Sequence, residues 1–264
     1  MSSTIVAPSV DATPIQDLTG KTAIITGGSK GIGAATVARF VRGGARVVTS
    51  GRSTPGPLPD GVEYVVADVA TVDGVEHLAR RAQQILGDID IVVNNAGATT
   101  LSLGGVLGIT DADWRKDLDI NFLAAVRLNA ALLPAMYTRG AGSIVNVSST
   151  VILSPPAPML HYATAKAALA TYTTGLAAEA GPRGVRVNTV TPGNVTSPGA
   201  DAIRQAIVDS GGADAPAAGG TPIPLGRKGE ASDIAEAIAF LVSDRAAWIT
   251  ATNLVIDGGQ IQAG

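Results

Sequence analysis

The chain has 264 residues, 46% of them hydrophobic and 16% charged, with a formal net charge of −3 and a sequence pI of about 5.3. That length fits one large α/β domain or two small ones and supports a core without covalent staples, while the acidic balance argues against nucleic acid or an anionic membrane as a main partner. With no cysteine and only 2 histidines, disulfides and thiolate chemistry are excluded and no metal site is expected.

Residues 1–16 are small, polar and proline-containing and read as a flexible extension ahead of a single domain over 17–264. They lack the basic-then-apolar pattern of a secretory signal, and no uninterrupted apolar run approaches the roughly 18 residues of a membrane span. A soluble, cytoplasmic protein is therefore expected.

The first strand is Thr22–Thr26, apolar enough to be buried on both faces as in a parallel sheet. A helix follows over 31–42, with Ile32, Thr36, Val37 and Phe40 at helical spacing and Gly43-Gly44 as its stop. Strands are then predicted at 45–50 and 62–67, separated by a Pro/Gly-rich loop at 54–61. A helix at 72–86, a strand at 89–94 and a long helix at 111–138 come next, the last with a bend expected before Pro134. A strand at 143–148, a helix at 160–180, a strand at 185–190, a helix at 232–243 and a strand at 253–256 complete the chain. Strands alternating with helices predict a doubly wound, mostly parallel, seven-stranded sheet with helices on both faces, and ligands in such sheets bind beyond the carboxyl ends of the strands. The stretch 197–226, rich in Gly, Ala and Pro with a short helical piece near 201–209, is long for a connection and reads as a substrate lid.

Strand one runs into Thr26-Gly27-Gly28-Ser29-Lys30-Gly31-Ile32-Gly33 and then a helix. Glycines here permit a tight turn and close approach to a diphosphate, which the free N–H groups of the helix N-terminus then meet. A P-loop would need a Lys-Ser/Thr pair after its last glycine, so an ATPase or kinase is excluded. The second strand ends Ser50-Gly51-Arg52-Ser53, with no acid to hold a ribose 2′-hydroxyl. Arg52, together with Lys30, instead suits a 2′-phosphate, which predicts NADP(H).

Tyr162 and Lys166 are four residues apart on a predicted helix and so share a face. A free tyrosine titrates at about 10; an adjacent ammonium would stabilise the phenolate and make Tyr162 a competent general acid/base. By itself the pair is common. It gains meaning from its surroundings: Asn94-Asn95-Ala96-Gly97 and Val145–Ser149 at strand ends, Asn121 in the long helix, and Pro192-Gly193 after the next strand, all on one edge of the predicted sheet.

On these motifs, with Asp68-Val69 and the closing Asp257-Gly258-Gly259, the chain from about 18 to about 260 resembles the short-chain dehydrogenases/reductases of the single-domain, Rossmann-like type. The resemblance implies that Tyr162 trades the substrate proton, that Lys166 lowers the Tyr162 pKa and bonds the nicotinamide ribose, and that Ser149 orients the carbonyl oxygen. Asn121 would hold a water relaying protons through Lys166. Gly27, Ser29, Gly31, Ile32 and Gly33 would cradle the diphosphate, Asp68 and Val69 would contact the adenine, and Asn95, Ala96 and Gly97 would line the adenosine ribose. Pro192, Gly193 and Val195 would reach the carboxamide, and Ser197 replaces the threonine usual at its position. Ile152 stands where the family often has glycine, and the Ser154–Pro158 stretch is stiffer than usual, so both bear on the substrate pocket. His161 is expected to have a structural or rim role. The implied activity is NADPH-dependent reduction of a carbonyl, or the reverse alcohol oxidation, on a small-molecule substrate and in a homo-oligomer, a tetramer or possibly dimer. A catalytically silent NADP-binding scaffold and an enoyl reductase are the alternatives.

Overall fold

In the computed structural model, residues 16–209 and 222–261 are described. Seven parallel strands form one sheet: β1 (Thr22–Thr26), β2 (Arg46–Gly51), β3 (Glu63–Val66), β4 (Ile91–Asn94), β5 (Gly142–Val147), β6 (Val185–Pro192) and β7 (Asn253–Ile256). Their order is β3-β2-β1-β4-β5-β6-β7, so the winding reverses between β1 and β4. The seven-strand, doubly wound expectation holds. The extension at 1–15 and the part of the expected lid at 210–221 lie outside the described residues.

Helices α1 (Gly31–Arg42) and α7 (Ala231–Val242) pack on one face, while α2 (Val72–Leu86), α4 (Ala124–Arg139) and α5 (Leu160–Ala180) cover the other. Each face has its own apolar cluster. Ile25, Val37, Phe40, Val93 and Ile238 fill one; Ile24, Leu78, Val92, Leu132 and Ile144 fill the other. The central strands are buried throughout, β1 and β4 at every residue, which is why they read as continuous apolar runs without alternation. Residues 16–209 also contain α3 (Asp111–Leu118) and α6 (Pro198–Asp209).

The expected bend before Pro134 is not where the long helix changes. Pro134 sits inside α4, exposed, and its missing donor leaves the carbonyl of Ala130, also on the exposed face, open to solvent. The irregularity lies earlier, in a π-helical turn at Asp119–Leu123 that joins α3 to α4. From Asp111 to Arg139 this 29-residue run is long and apolar enough to cross a membrane by length and composition; 44% of its most apolar window is buried inside the fold.

Candidate active site

The glycine loop is shaped by contacts no side chain would permit. Gly27 and Gly31 have φ of +72° and +56°. A Cβ on Gly33 would lie 2.2 Å from the Gly27 carbonyl oxygen, and one on Gly28 would lie 2.0 Å from Thr49 Oγ1. The Asn95 amide nitrogen donates to the Thr26 and Gly27 carbonyls at 2.9 and 3.2 Å, while Thr26 Oγ1 accepts from the backbone of Asn95 and Ala96. Asn95 therefore ties the end of β4 to the loop while it lines the cavity.

Beyond these strand ends lies one cavity of about 920 Å³, toward the upper end for small-molecule sites. All the cofactor residues expected from the sequence line it, from Gly27, Ser29, Lys30, Gly31, Ile32 and Gly33 through Arg52, Asp68, Val69 and Asn95–Gly97 to Pro192, Gly193, Val195 and Ser197. Lys30 and Arg52 are exposed at its β2 end, and among the described residues neither is engaged in an ion pair. The cradle left by the glycines, followed by the N-terminus of α1 and two unpaired cations, fits a dinucleotide with an extra phosphate. The first part of the expected lid is the helix α6, whose Gly199, Ile203 and Ala206 face the same cavity.

At the other end Ser149, Tyr162 and Lys166 share the wall. Ser149 follows β5 and caps a short 3-10 turn, and its hydroxyl lies close enough to the Tyr162 phenol to favour the ionised form. Its neighbour Ser148 is turned inward, buried against the Lys166 carbonyl at 3.4 Å, as alternation along an extended chain requires. Lys166 Nζ donates to the Val147 carbonyl at 2.8 Å and lies 5.9 Å from the centroid of the Tyr162 ring.

The electrostatics correct one expectation. Burial pushes the Tyr162 phenol up to about 12, against the opposing pull of Ser149, and burial brings Lys166 down to about 8. Desolvation is the dominant cause for both groups here.

Asn121 sits in the π-helical turn, buried, outside the large cavity's lining. Its amide donates to the carbonyls of Ala98 and Asp117 at 2.7 and 3.1 Å, and its oxygen accepts from Ala98 N at 3.2 Å. Gly97 separates it from Lys166: a Cβ there would lie 2.9 Å from Asn121 Oδ1 and 3.4 Å from Lys166 Nζ. The structure therefore brings Asn121, Gly97 and Lys166 together, with the Asn121 side chain already satisfied by backbone.

Below the site a buried amide chain joins two strands, β4 and β5, to two helices, α4 and α5. Asn94 donates to Asn129 and Asn146 at 3.0 and 2.7 Å, and Asn146 donates to Thr173 at 2.8 Å. Such a fully paired network fixes the floor rigidly.

Against this geometry, the chain matches, over residues 27–260, a family model described as enoyl-(acyl carrier protein) reductase. The chain belongs to the short-chain dehydrogenase/reductase family. The 3-oxoacyl-[acyl-carrier-protein] reductase FabG of Vibrio harveyi is 34% identical over 249 residues, covering 92% of this chain and 98% of that protein. FabG of Pseudomonas aeruginosa is 35% identical over 255 residues, with the same coverages. Among solved structures, levodione reductase superposes with a TM-score of 0.86 at 30% identity, covering 92% of this chain and 98% of that one. As a short-chain dehydrogenase/reductase, the chain is an oxidoreductase of the ketoreductase kind, acting on carbonyl and alcohol groups with a nicotinamide cofactor.

Tyr64, a lining residue, was missed in the sequence. Tyr64 of β3 occupies the space that Gly51 leaves by lacking a Cβ and donates to the Ser53 carbonyl at 2.8 Å, near the Ser29 side chain. Thr99 donates to Asp117 at 2.8 Å. His161 is buried, not at a rim; its ring meets Trp114 edge-on and its Nε2 lies 3.6 Å from Asp117. An aromatic in a strand beside the basic loop could have pointed to Tyr64; nothing local pairs Asp117 with His161.

Proposed function

We propose that this chain is an NADPH-dependent ketoreductase, running in reverse as an alcohol dehydrogenase, in which Tyr162 is the general acid/base. The observation that carries the reading is that the glycine cradle, the exposed Lys30 and Arg52, and the Ser149–Tyr162–Lys166 cluster open on a single cavity. When bound, the nicotinamide supplies or accepts the hydride. Ser149 donates to the substrate oxygen and holds it against the Tyr162 hydroxyl, which gives the proton in reduction and takes it in oxidation. Lys166 holds the ribose hydroxyls and supplies positive charge beside the phenol as it ionises. Asn121 holds a water through which Lys166 is reprotonated. Lys30 and Arg52 pair with the 2′-phosphate, and Gly27, Gly31 and Gly33 let backbone amides approach the diphosphate. We further place the enzyme in the cytoplasm, as a homo-oligomer acting on a small-molecule carbonyl compound.

The test mixes the protein with NADPH and a panel of ketones, 3-oxoacyl thioesters and enoyl thioesters while nicotinamide absorbance is followed. Ketone or 3-oxoacyl turnover is expected, with Tyr162→Phe lowering kcat by about a hundredfold or more while NADPH still quenches protein fluorescence. Turnover confined to the enoyl thioesters would favour carbon–carbon reduction, and unchanged turnover in Tyr162→Phe would remove the tyrosine from the mechanism. Arg52→Ala is expected to narrow the NADPH-over-NADH preference by about tenfold or more, the worth of a charged hydrogen bond, read as the ratio of kcat/KM for the two cofactors.

A further inference from the structure

Behind the substrate end of the cavity lies a carboxylate that the proposed mechanism leaves without a task. Asp117, on α3, is 2% exposed, and Thr99 Oγ1 donates to its Oδ2 at 2.8 Å. Among the described residues the other acceptor within reach of that hydroxyl is the Thr100 carbonyl at 3.3 Å, also part of the protein. Thr99 itself lines the cavity with Ser149 and Tyr162.

His161, from α5, completes the arrangement. Its Nε2 faces Asp117 at 3.6 Å, its ring is wedged on Trp114, and its buried Nδ1 has no partner. A proton on Nε2 points at the carboxylate and leaves Nδ1 as a bare lone pair; an imidazolium would instead bury an unpaired N–H. The orphaned Nδ1 thus favours a ring that turns its Nε2 proton toward Asp117. A carboxylate can only accept, so the Thr99 proton is committed to it. Burial lifts the Asp117 carboxyl above its usual range, and the Thr99 hydroxyl bond pulls the other way, favouring the accepting form.

We propose that Asp117, oriented by His161, locks the Thr99 hydroxyl with its proton turned away from the cavity, so that Thr99 presents only a lone pair to substrate. Resting on the ketoreductase reading above, this makes Thr99 a specificity determinant for carbonyl compounds that carry a hydrogen-bond donor, a hydroxyl or N–H, beside the reacting carbonyl. Asp117 and His161 are positioning residues that act through it.

A matched pair of substrates tests this: an α-hydroxyketone and its α-methoxy counterpart, which has lost only the donor. The ratio of kcat/KM between them is measured with NADPH. The wild-type chain should prefer the hydroxyketone by about fivefold to tenfold, the worth of one neutral hydrogen bond, carried mainly in KM. Thr99→Val should bring the ratio close to one, and Thr99→Ser should restore it. In Asp117→Asn the side-chain amide can donate to the Thr99 oxygen and free its proton for the cavity, so the preference should turn toward the methoxyketone. If that variant does not fold, as judged by its melting curve, the two Thr99 variants decide the matter. A wild-type ratio near one, or a Thr99→Val chain keeping the wild-type ratio, would overturn the proposal while leaving carbonyl reduction standing. A wild-type chain that reduces no carbonyl compound would sink the ketoreductase reading and this inference with it.

Discussion

The two groups at the centre of the site are both held toward their uncharged forms, and this has consequences for stability and for rate. Lys166 titrates at about 8 in the folded chain and near its ordinary 10.5 when unfolded. Below about pH 8 the fold bears the full cost of a buried ammonium; between 8 and 10.5 the unfolded chain binds more protons, so that cost is relieved as pH rises. Lys166→Met should therefore raise the melting temperature at pH 7 by up to the order of 3 kcal/mol of stability, less the lost bond to Val147, with the gain shrinking by pH 10 and with turnover abolished. Tyr162 has the opposite sign. Its folded value of about 12 exceeds the ordinary 10, so stability is lost above pH 10 as the unfolded phenol ionises first. For catalysis the phenol remains available as a donor into alkaline solution, and alcohol oxidation, which needs the phenolate, should climb with pH; pH–rate profiles in both directions check this. The Tyr162–Lys166 pair and Ser149 were legible because helical spacing and strand ends are local properties of the sequence. The Asp117–His161–Thr99 cluster was not, since it joins two helices and a loop whose meeting depends on packing.

At the level of the elements, β1, α5 and β7 could be read from their residues almost to the terminus. An apolar five-residue run, an uninterrupted helix-forming stretch and a strand bounded by Thr252 and Asp257 leave little freedom. The glycine loop was legible as a type, while the reason for each glycine was not. Gly33 is required by the Gly27 carbonyl 2.2 Å from where its Cβ would stand. Gly33→Ala should force loop and helix apart and weaken NADPH binding by about tenfold or more, measurable by fluorescence titration, since the obstacle is backbone and cannot rotate aside. Helix α2 begins at Thr71, whose Oγ1 accepts from Gly74 N at 3.0 Å. Thr71→Ala should cost about 1 kcal/mol in urea unfolding without touching activity. The π-helical turn at Asp119–Leu123 escaped the sequence reading because its residues keep an ordinary amphipathic look. Proline was the visible suspect, and at an exposed position it did no harm.

Across the whole molecule the strand order could not be derived from the sequence; it emerges from which helices share a face. One tie spans the chain. Arg39 of α1 is buried, donates to both carboxylate oxygens of Asp17 at 3.0 and 2.8 Å and reaches Glu236 of α7 at 2.7 Å. Asp17→Ala should destabilise the fold by about 2–4 kcal/mol by stranding part of a buried guanidinium, read as a lower urea midpoint with an unchanged slope. A subtler long-range dependence follows from the π-helical turn. Ahead of it α3 rests on α5; behind it α4 rests on α2. One surplus residue thus works as a phase shifter, letting a single rod serve two partners that lie at different azimuths. Excising one residue from 119–123 would remove that surplus and let the rod close to uniform pitch with its core face kept, whereas excising one from 129–131, where no surplus absorbs it, would swing Leu132 and Met136 by roughly 100°, out of the interior. The π turn is thus where this rod tolerates a change of length, while α4 behind it tolerates none.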